Sequence, residues 1–257
     1  IAAGGLDAVI VCVPPAAYVE VVPQLLAAGL PVFCEKPGGA TLDELTVLET
    51  ASQTTSMPVM VGYMKRFARG YRFASDVVSR EDFGRVTSVH CKFLMGPGFS
   101  SLRNYIVDNT VHALDLMRFF GGEVTDLQAR HLTLDDNRHA LSLLLQFATG
   151  AVGTAQLGTT GSFFQENELL EVVGEEHSLT VTNVDTVAFR RPRGGVEVDR
   201  PTYTVPLPMN MTGTVMGFVP ELEHFKAVVQ DGVACRSDIT SARRTLELAE
   251  QVWSAIS

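Results

Sequence analysis

The sequence predicts an α/β chain in two parts: a small parallel sheet, then a larger and mostly antiparallel one. Two observations carry this. Up to Gly62, short apolar runs alternate with stretches at helical spacing, the pattern of strands joined by crossover helices. Between Arg85 and Val205 the apolar runs follow one another across short turns, several of them containing Gly, with a single helix among them.

Residues 7–13 form a short, mostly apolar run ended by Pro14-Pro15, with the length and β-branched content of a buried parallel strand. Residues 16–28 follow at helical spacing and close at Gly29; Pro23 inside them is a site for a kink. A second apolar strand, 30–34, leads into Glu35-Lys36-Pro37 and Gly38-Gly39. Residues 41–52 read as a helix opened by a capping box, Thr41 with Glu44 three residues on. Residues 58–62 are the third strand.

The pattern changes after Tyr63. Residues 69–79 read as a helix, and strands are expected over 85–94, 124–134, 139–147, 151–158, 168–173, 178–182, 186–190 and 201–205. Period-2 alternation is visible in 139–147, although Leu143-Leu144-Leu145 blurs it. One helix, 108–120, stands inside this region and ends at Gly121-Gly122; two more, 220–230 and 241–256, finish the chain. The division is expected at residues 1–68 and 69–257.

Composition bounds the function. A chain of 257 residues buries about 70–75% of its unfolded surface and needs no staples. Its net charge of −9 argues against nucleic acid or an anionic membrane as a partner. The four cysteines are scattered, with no CxxC pair, so neither a zinc site nor a disulfide framework is expected, and a reducing cytoplasm fits. No apolar run is long enough to span a membrane. The chain opens on Ile1 and not Met, so residues ahead of it are expected to have been removed or left out.

Two places carry chemistry. Glu35-Lys36 puts an acid and a base at the C-terminal end of a parallel strand, the edge at which open α/β sheets bind ligands; the ordinary role of such a pair is a surface salt bridge. On the 108–120 helix, Asp108, His112 and Asp115 fall within about 60° of one another on a wheel of 100° per residue. The rest of that helix is mostly apolar, so the stripe must face partners, water or a ligand. Each residue also has an ordinary role: Asp108 as N-cap, His112 as a satisfied core histidine, Asp115 as the partner of Arg118. No third ligand stands at a convincing spacing from the Asp108/His112 pair, so no metal is expected.

Glu35-Lys36-Pro37 after one strand, Gly62-Tyr63-Met64-Lys65-Arg66-Phe67 after the next, and Asp108-x-x-x-His112-x-x-Asp115 on a helix ending in Gly121-Gly122 form one ordered set. With it the chain resembles the glucose–fructose oxidoreductase / inositol dehydrogenase (Gfo/Idh/MocA) family. The resemblance implies a Rossmann-type parallel sheet, here partial, followed by an α+β domain on a large open-faced sheet. It implies an NAD- or NADP-dependent oxidoreductase acting on a secondary alcohol or ketone of a sugar, cyclitol or similar polyol. By the same resemblance Lys36 is the active-site lysine, and Asp108 and His112 orient substrate and handle its proton. Glu35 and the turn bearing Pro14 and Tyr18 match segments near the nicotinamide ribose; Tyr18 stands where many members have His. Arg103 and Asn104, just ahead of the helix, are candidate substrate contacts.

A His beside a carboxylate titrates near neutral pH and suits a general base, and a nearby Lys can polarise a carbonyl in reverse. No G-x-G-x-x-G occurs in the chain, so these 257 residues are expected to bind the dinucleotide poorly and to expose an unpaired strand edge. The rival reading is a non-catalytic binding or assembly paralogue, or a fragment, lacking the phosphate cradle. The broad second sheet is expected to make the protein a homodimer or homotetramer.

Overall fold

A computed structural model describes residues 4–99, 101–162, 167–200 and 209–257. In chain order the elements are β1 (Val9–Val11), α1 (Tyr18–Ala27), β2 (Val32–Glu35), α2 (Leu42–Thr55), β3 (Val59–Gly62), α3 (Arg69–Val78), β4 (Ser88–Leu94) and α4 (Leu102–Asn104). A π-helical stretch, Tyr105–Thr110, runs on into α5 (Val111–Gly121). Strands β5 (Val124–Asp135), β6 (Arg138–Phe147), β7 (Val152–Gly158), β8 (Asn167–Val173), β9 (Ser178–Thr182), β10 (Thr186–Arg190) and β11 (Val196–Asp199) follow. Helices α6 (Met209–Met216), α7 (Phe218–Asp231) and α8 (Ile239–Ile256) complete the chain. Among the described residues no helix is long and apolar enough to cross a membrane.

The chain divides into two compact units, one of residues 1–64 with 219–247 and one of 65–218 with 248–257. In the first, β1, β2 and β3 make a parallel sheet in that order. α1 buries Tyr18, Val22, Leu25 and Leu26, the i, i+4, i+7, i+8 stripe of an amphipathic helix, and runs through Pro23 without a break. The capping box of α2 forms as the sequence predicts: Thr41 Oγ1 accepts from the Glu44 N–H at 3.2 Å, and Glu44 Oε2 accepts from the Thr41 N–H at 3.2 Å.

The C-terminal residues 219–247 cluster with this sheet and not with the second unit, where the expected boundary at 68/69 put them. Three long-range contacts draw them there. Phe225 packs on Phe33, the Val61 N–H donates to Ser237 O at 2.8 Å, and Arg243 Nε reaches Glu49 at 2.7 Å.

The second unit holds an eight-stranded sheet in the order β11-β10-β9-β8-β4-β7-β6-β5, antiparallel except where β4 lies parallel to β7. β6 alternates cleanly through the leucine run, with Leu141, Leu143 and Leu145 buried and Leu144 49% exposed. α5 covers the buried face. A Cβ added at Gly121, on that helix, would stand 2.6 Å from the Phe147 ring, so the close approach requires glycine. The opposite face leaves Leu132, Leu134, Leu144 and Val152 exposed.

Two elements depart from the sequence-based reading. β11 was not expected, and the strand expected at 201–205 lies outside the described residues. The helix expected to start at Asp108 starts at α4, capped by Ser101 Oγ accepting from the Asn104 N–H at 3.1 Å. Asp108 is therefore not an N-cap: it sits mid-way along the π-helical stretch.

Two buried ion pairs link the 65–71 segment to the rest of its unit, beside a backbone bond from the Gly70 N–H to Val184 O at 2.9 Å. Arg66 meets Asp115 of α5 through two bonds, Nε to Oδ2 at 2.7 Å and Nη2 to Oδ1 at 2.5 Å, with both side chains almost fully buried. Lys65 Nζ meets Glu168 of β8 at 2.5 Å, and the Tyr71 hydroxyl bonds the same carboxylate. Asp115 thus takes Arg66 and not the adjacent Arg118, which pairs with Glu123 at 2.7 Å. Removing one member of a buried pair strands the other charge. Asp115→Ala should cost about 3–5 kcal/mol in urea denaturation. Arg85→Ala, which breaks an exposed pair with Glu175, should cost at most about 1 kcal/mol.

Candidate active site

In the first unit the apolar side chains of β2 are all buried, so the strand's first half-buried residue is the acid at its end, Glu35. The Gly38 N–H donates to Glu35 O at 3.1 Å and closes a turn over Lys36 and Pro37, whose peptide bond is cis. Gly38 has φ +89°, and a Cβ there would meet Val61 at 3.1 Å and Leu45 at 3.2 Å. Lys36 is half-buried on this turn. Pro14, past the end of β1, is exposed. Tyr18 is only 1% exposed: its hydroxyl is hydrogen-bonded to the Glu35 backbone, and burial, with Cys34 nearby, pushes its pKa up to about 12. Through that bond it supports the Glu35 turn.

In the second unit one helical run carries Arg103, Asn104, Asp108 and His112. Asp108 and Asn104 are exposed, and His112 is 9% exposed near the start of α5. The wheel that grouped Asp108 with His112 assumes an α-helix throughout. A π-helical stretch has a wider turn and often marks a functional site. Here it is braced at both ends: the Tyr105 hydroxyl accepts from the Gly158 N–H at 2.7 Å, and the Thr110 hydroxyl donates to Ile106 O at 2.6 Å. Arg103 is engaged by Glu250 of α8, and Asp115 by Arg66.

The sequence reading passed over Glu221. It stands in the first turn of α7, is 2% exposed, and its Oε2 has no hydrogen-bond partner. The signal available was one acid, Glu221, four residues before Phe225 on the apolar stripe of that helix.

The side chains at the end of the parallel sheet suit the nicotinamide-riboside end of a dinucleotide. Glu35 offers a carboxylate acceptor for sugar hydroxyls, and Lys36, next along the chain, an ammonium donor. The pyrophosphate has no such match among the described residues. Gly38-Gly39 lead from a strand into a helix, but Val61 and Leu45 already fill the space above Gly38, and Leu45 and Glu44 that above Gly39. Gly4 and Gly5 have open space around them but precede β1.

Two family models match the chain. Residues 1–63 match one described as an oxidoreductase family with an NAD-binding Rossmann fold, and residues 71–180 match the GFO/IDH/MocA C-terminal domain. An inositol 2-dehydrogenase of Rhodococcus erythropolis is 32% identical over 206 residues, covering 76% of this chain and 58% of that protein. The rhizopine catabolism protein MocA of Rhizobium meliloti is 26% identical over 62% of this chain and 54% of its own. The chain thus spans little more than half the length of these two relatives. Among solved structures, a dehydrogenase from Chromobacterium violaceum superposes with a TM-score of 0.88 at 21% identity, covering 98% of this chain and 77% of that one. An oxidoreductase from Agrobacterium radiobacter, solved with NAD+, L-tartaric acid and magnesium, gives 0.84 at 18% identity, covering 99% and 79%. These two likenesses concern the fold, a small parallel sheet joined to a large, mostly antiparallel one. With the two models together matching about two thirds of its residues, in the order the motifs predict, the chain belongs to the GFO/IDH/MocA oxidoreductase family.

Proposed function

We propose that the chain serves an NAD(P)-dependent oxidoreductase activity that interconverts a secondary alcohol and a ketone on a sugar, cyclitol or similar polyol. The observation that carries this reading is the turn at the end of β2, which brings Glu35 and Lys36 half-buried to the C-terminal edge of a parallel sheet. The names of the inositol dehydrogenase relatives support the substrate class.

The nicotinamide supplies the hydride acceptor when bound. The chain supplies position and proton handling. Glu35 accepts hydrogen bonds from ribose hydroxyls, and Pro14 lines the same edge. The His112 imidazole takes the proton of the reacting substrate hydroxyl, and Asp108, one turn earlier and exposed, orients that hydroxyl. The Lys36 ammonium donates to the substrate oxygen; in the reverse direction it polarises the carbonyl while His112 returns the proton. Asn104 contacts a further hydroxyl. Arg103, tied to Glu250, stands as a support for the helical run in this scheme.

The apolar face of Leu132, Leu144 and Val152 is the surface through which the protein self-associates as a homodimer or homotetramer. Sedimentation at micromolar concentration should then show no monomer.

Turnover of a cyclitol and sugar panel with NAD+ and with NADP+ tests the activity. A fluorescence titration with the reduced cofactors separates the enzyme from a binding paralogue, which would take up the polyol without the nicotinamide. Lys36→Ala should lower kcat by about 10²–10⁴-fold and leave cofactor affinity within a few-fold. Near-normal turnover in that variant would remove Lys36 from the scheme.

A further inference from the structure

Glu221 is a carboxyl group buried with no hydrogen-bond partner for its Oε2 among the described residues, and the packing of α7 shows what it is buried against. Phe225 lies with its ring centroid 5.8 Å from that of Phe33 on β2. Phe33 and Glu35 are two residues apart on a strand, so they share a face and stand about 6.6 Å apart. Glu221 and Phe225 are four residues apart on a helix, so they share a stripe and stand about 6 Å apart. With the rings in contact at one end, the second pair meets at the other. Glu221 and Glu35 do interact electrostatically.

Gly62, the register partner of Glu35 on β3, completes the floor. A Cβ there would lie 3.1 Å from the Phe33 ring and 3.2 Å from Glu35 Oε2, so both side chains lean over the bare glycine on the face that α7 covers.

The charged and titratable groups around the pair are few. From α1 comes Tyr18, bonded to the Glu35 backbone; from β2, Cys34, a thiol that burial keeps neutral; from the turn, Lys36. β3 brings none. On α7 itself Glu223 and Lys226 are exposed, and His224 Nε2 accepts from the Arg236 N–H at 3.1 Å. Of these, Glu35 acts on Glu221 through its charge. Burial first, and the Glu35 charge second, push the Glu221 carboxyl up from 4.5 to about 8.

We propose that Glu221 is held as a neutral carboxylic acid at physiological pH, a positioning residue that leaves Glu35 the single carboxylate at the end of the parallel sheet. Losing its proton sets a second negative charge against Glu35 and disturbs the Glu35–Lys36 turn. The positioning role rests on the oxidoreductase reading of that turn; the protonation state does not.

The test is therefore in two arms, on the full chain. The first needs no turnover. Infrared spectra should show a protonated carboxyl C=O band at pH 7 that is absent in Glu221→Gln and lost in the wild type as pH rises through about 8. Melting should agree in sign. With the folded-state pKa above the unfolded one, the folded protein keeps a proton that the unfolded chain has lost. Wild type should lose Tm by several degrees relative to Glu221→Gln between about pH 4.5 and 8, and no further above that. Glu35→Gln, which removes the neighbouring charge, should move the loss of the band to lower pH, and it answers the question if Glu221→Gln fails to fold. A band that survives Glu221→Gln or ignores Glu35→Gln, or a Tm difference flat with pH, overturns the proposal. In the second arm the wild-type kcat should fall as pH rises through about 8, and that fall should be absent in Glu221→Gln. A band that behaves as expected in a protein with no turnover would sink the oxidoreductase reading and leave the neutral acid standing.

Discussion

The burial of two consecutive cations is the constraint on which the second unit depends. Lys65 and Arg66 follow the last parallel strand after only Tyr63 and Met64, and each is about 5% exposed. A buried ammonium or guanidinium without a partner is too costly to persist, so each must find a carboxylate. Lys65 takes Glu168 on β8, and Arg66 takes Asp115 on α5. One short segment therefore ties together a strand near the middle of the large sheet and the helix that covers it. Asp108 and His112 ride on the run that ends in that helix. Against well-packed apolar residues such pairs give little net stability, but they fix which helix face meets which segment. The two-point Arg66–Asp115 contact fixes rotation as well as position, which a single Lys bond would not.

Local features were legible in the sequence. The three parallel strands, the Thr41/Glu44 capping box and most of the antiparallel strands follow from apolar period and turn chemistry. What failed had physical reasons. β11 has no buried stripe: Val196 and Val198 are both exposed, and an edge strand of this kind lacks the alternation that marks a half-buried one. Asp115 was set beside Arg118 because three residues separate them, whereas its partner lies 49 residues away and only the fold brings it near. The π-helical stretch could not be foreseen from spacing, since a 3.6-residue period was assumed in reading the helix at all. For the candidate site, the motif residues could be named in advance, but not their surroundings. Tyr18 was matched to a segment near the nicotinamide ribose, and nothing in its spacing told that it would be buried and bonded to the Glu35 backbone.

The buried ionisable groups sort by whether a partner offsets their burial. Lys65, Arg66, Asp115 and Glu168 are paired, each with geometry close to ideal, and nothing about them asks for a ligand. Arg118, pinned to Glu123, belongs with them. Glu221 does not: it is as deeply buried as Glu168, yet among the described residues no salt bridge reaches it and another carboxyl does act on it. A paired charge persists because attraction returns what desolvation costs. An unpaired acid persists only by keeping its proton.

That difference bears on how the end of the parallel sheet can work. A site that handles a polyol needs one carboxylate to accept hydroxyl hydrogen bonds and one cation to hold the developing oxyanion. A second negative charge nearby would neutralise Lys36 and repel the substrate oxygen as charge builds on it. An apolar residue at 221 would also avoid that charge, and would fit the stripe that continues through Phe225 and Val228. A protonated glutamic acid differs from it in one respect: it offers an O–H beside Glu35 without adding charge. Gly62 serves the same end from the sheet side, since a Cβ there would press on both the Phe33 ring and the Glu35 carboxylate, at 3.1 and 3.2 Å. Three residues with no chemistry in common thus converge on Glu35: a tyrosine on its backbone, a glycine and a neutral acid on its carboxylate.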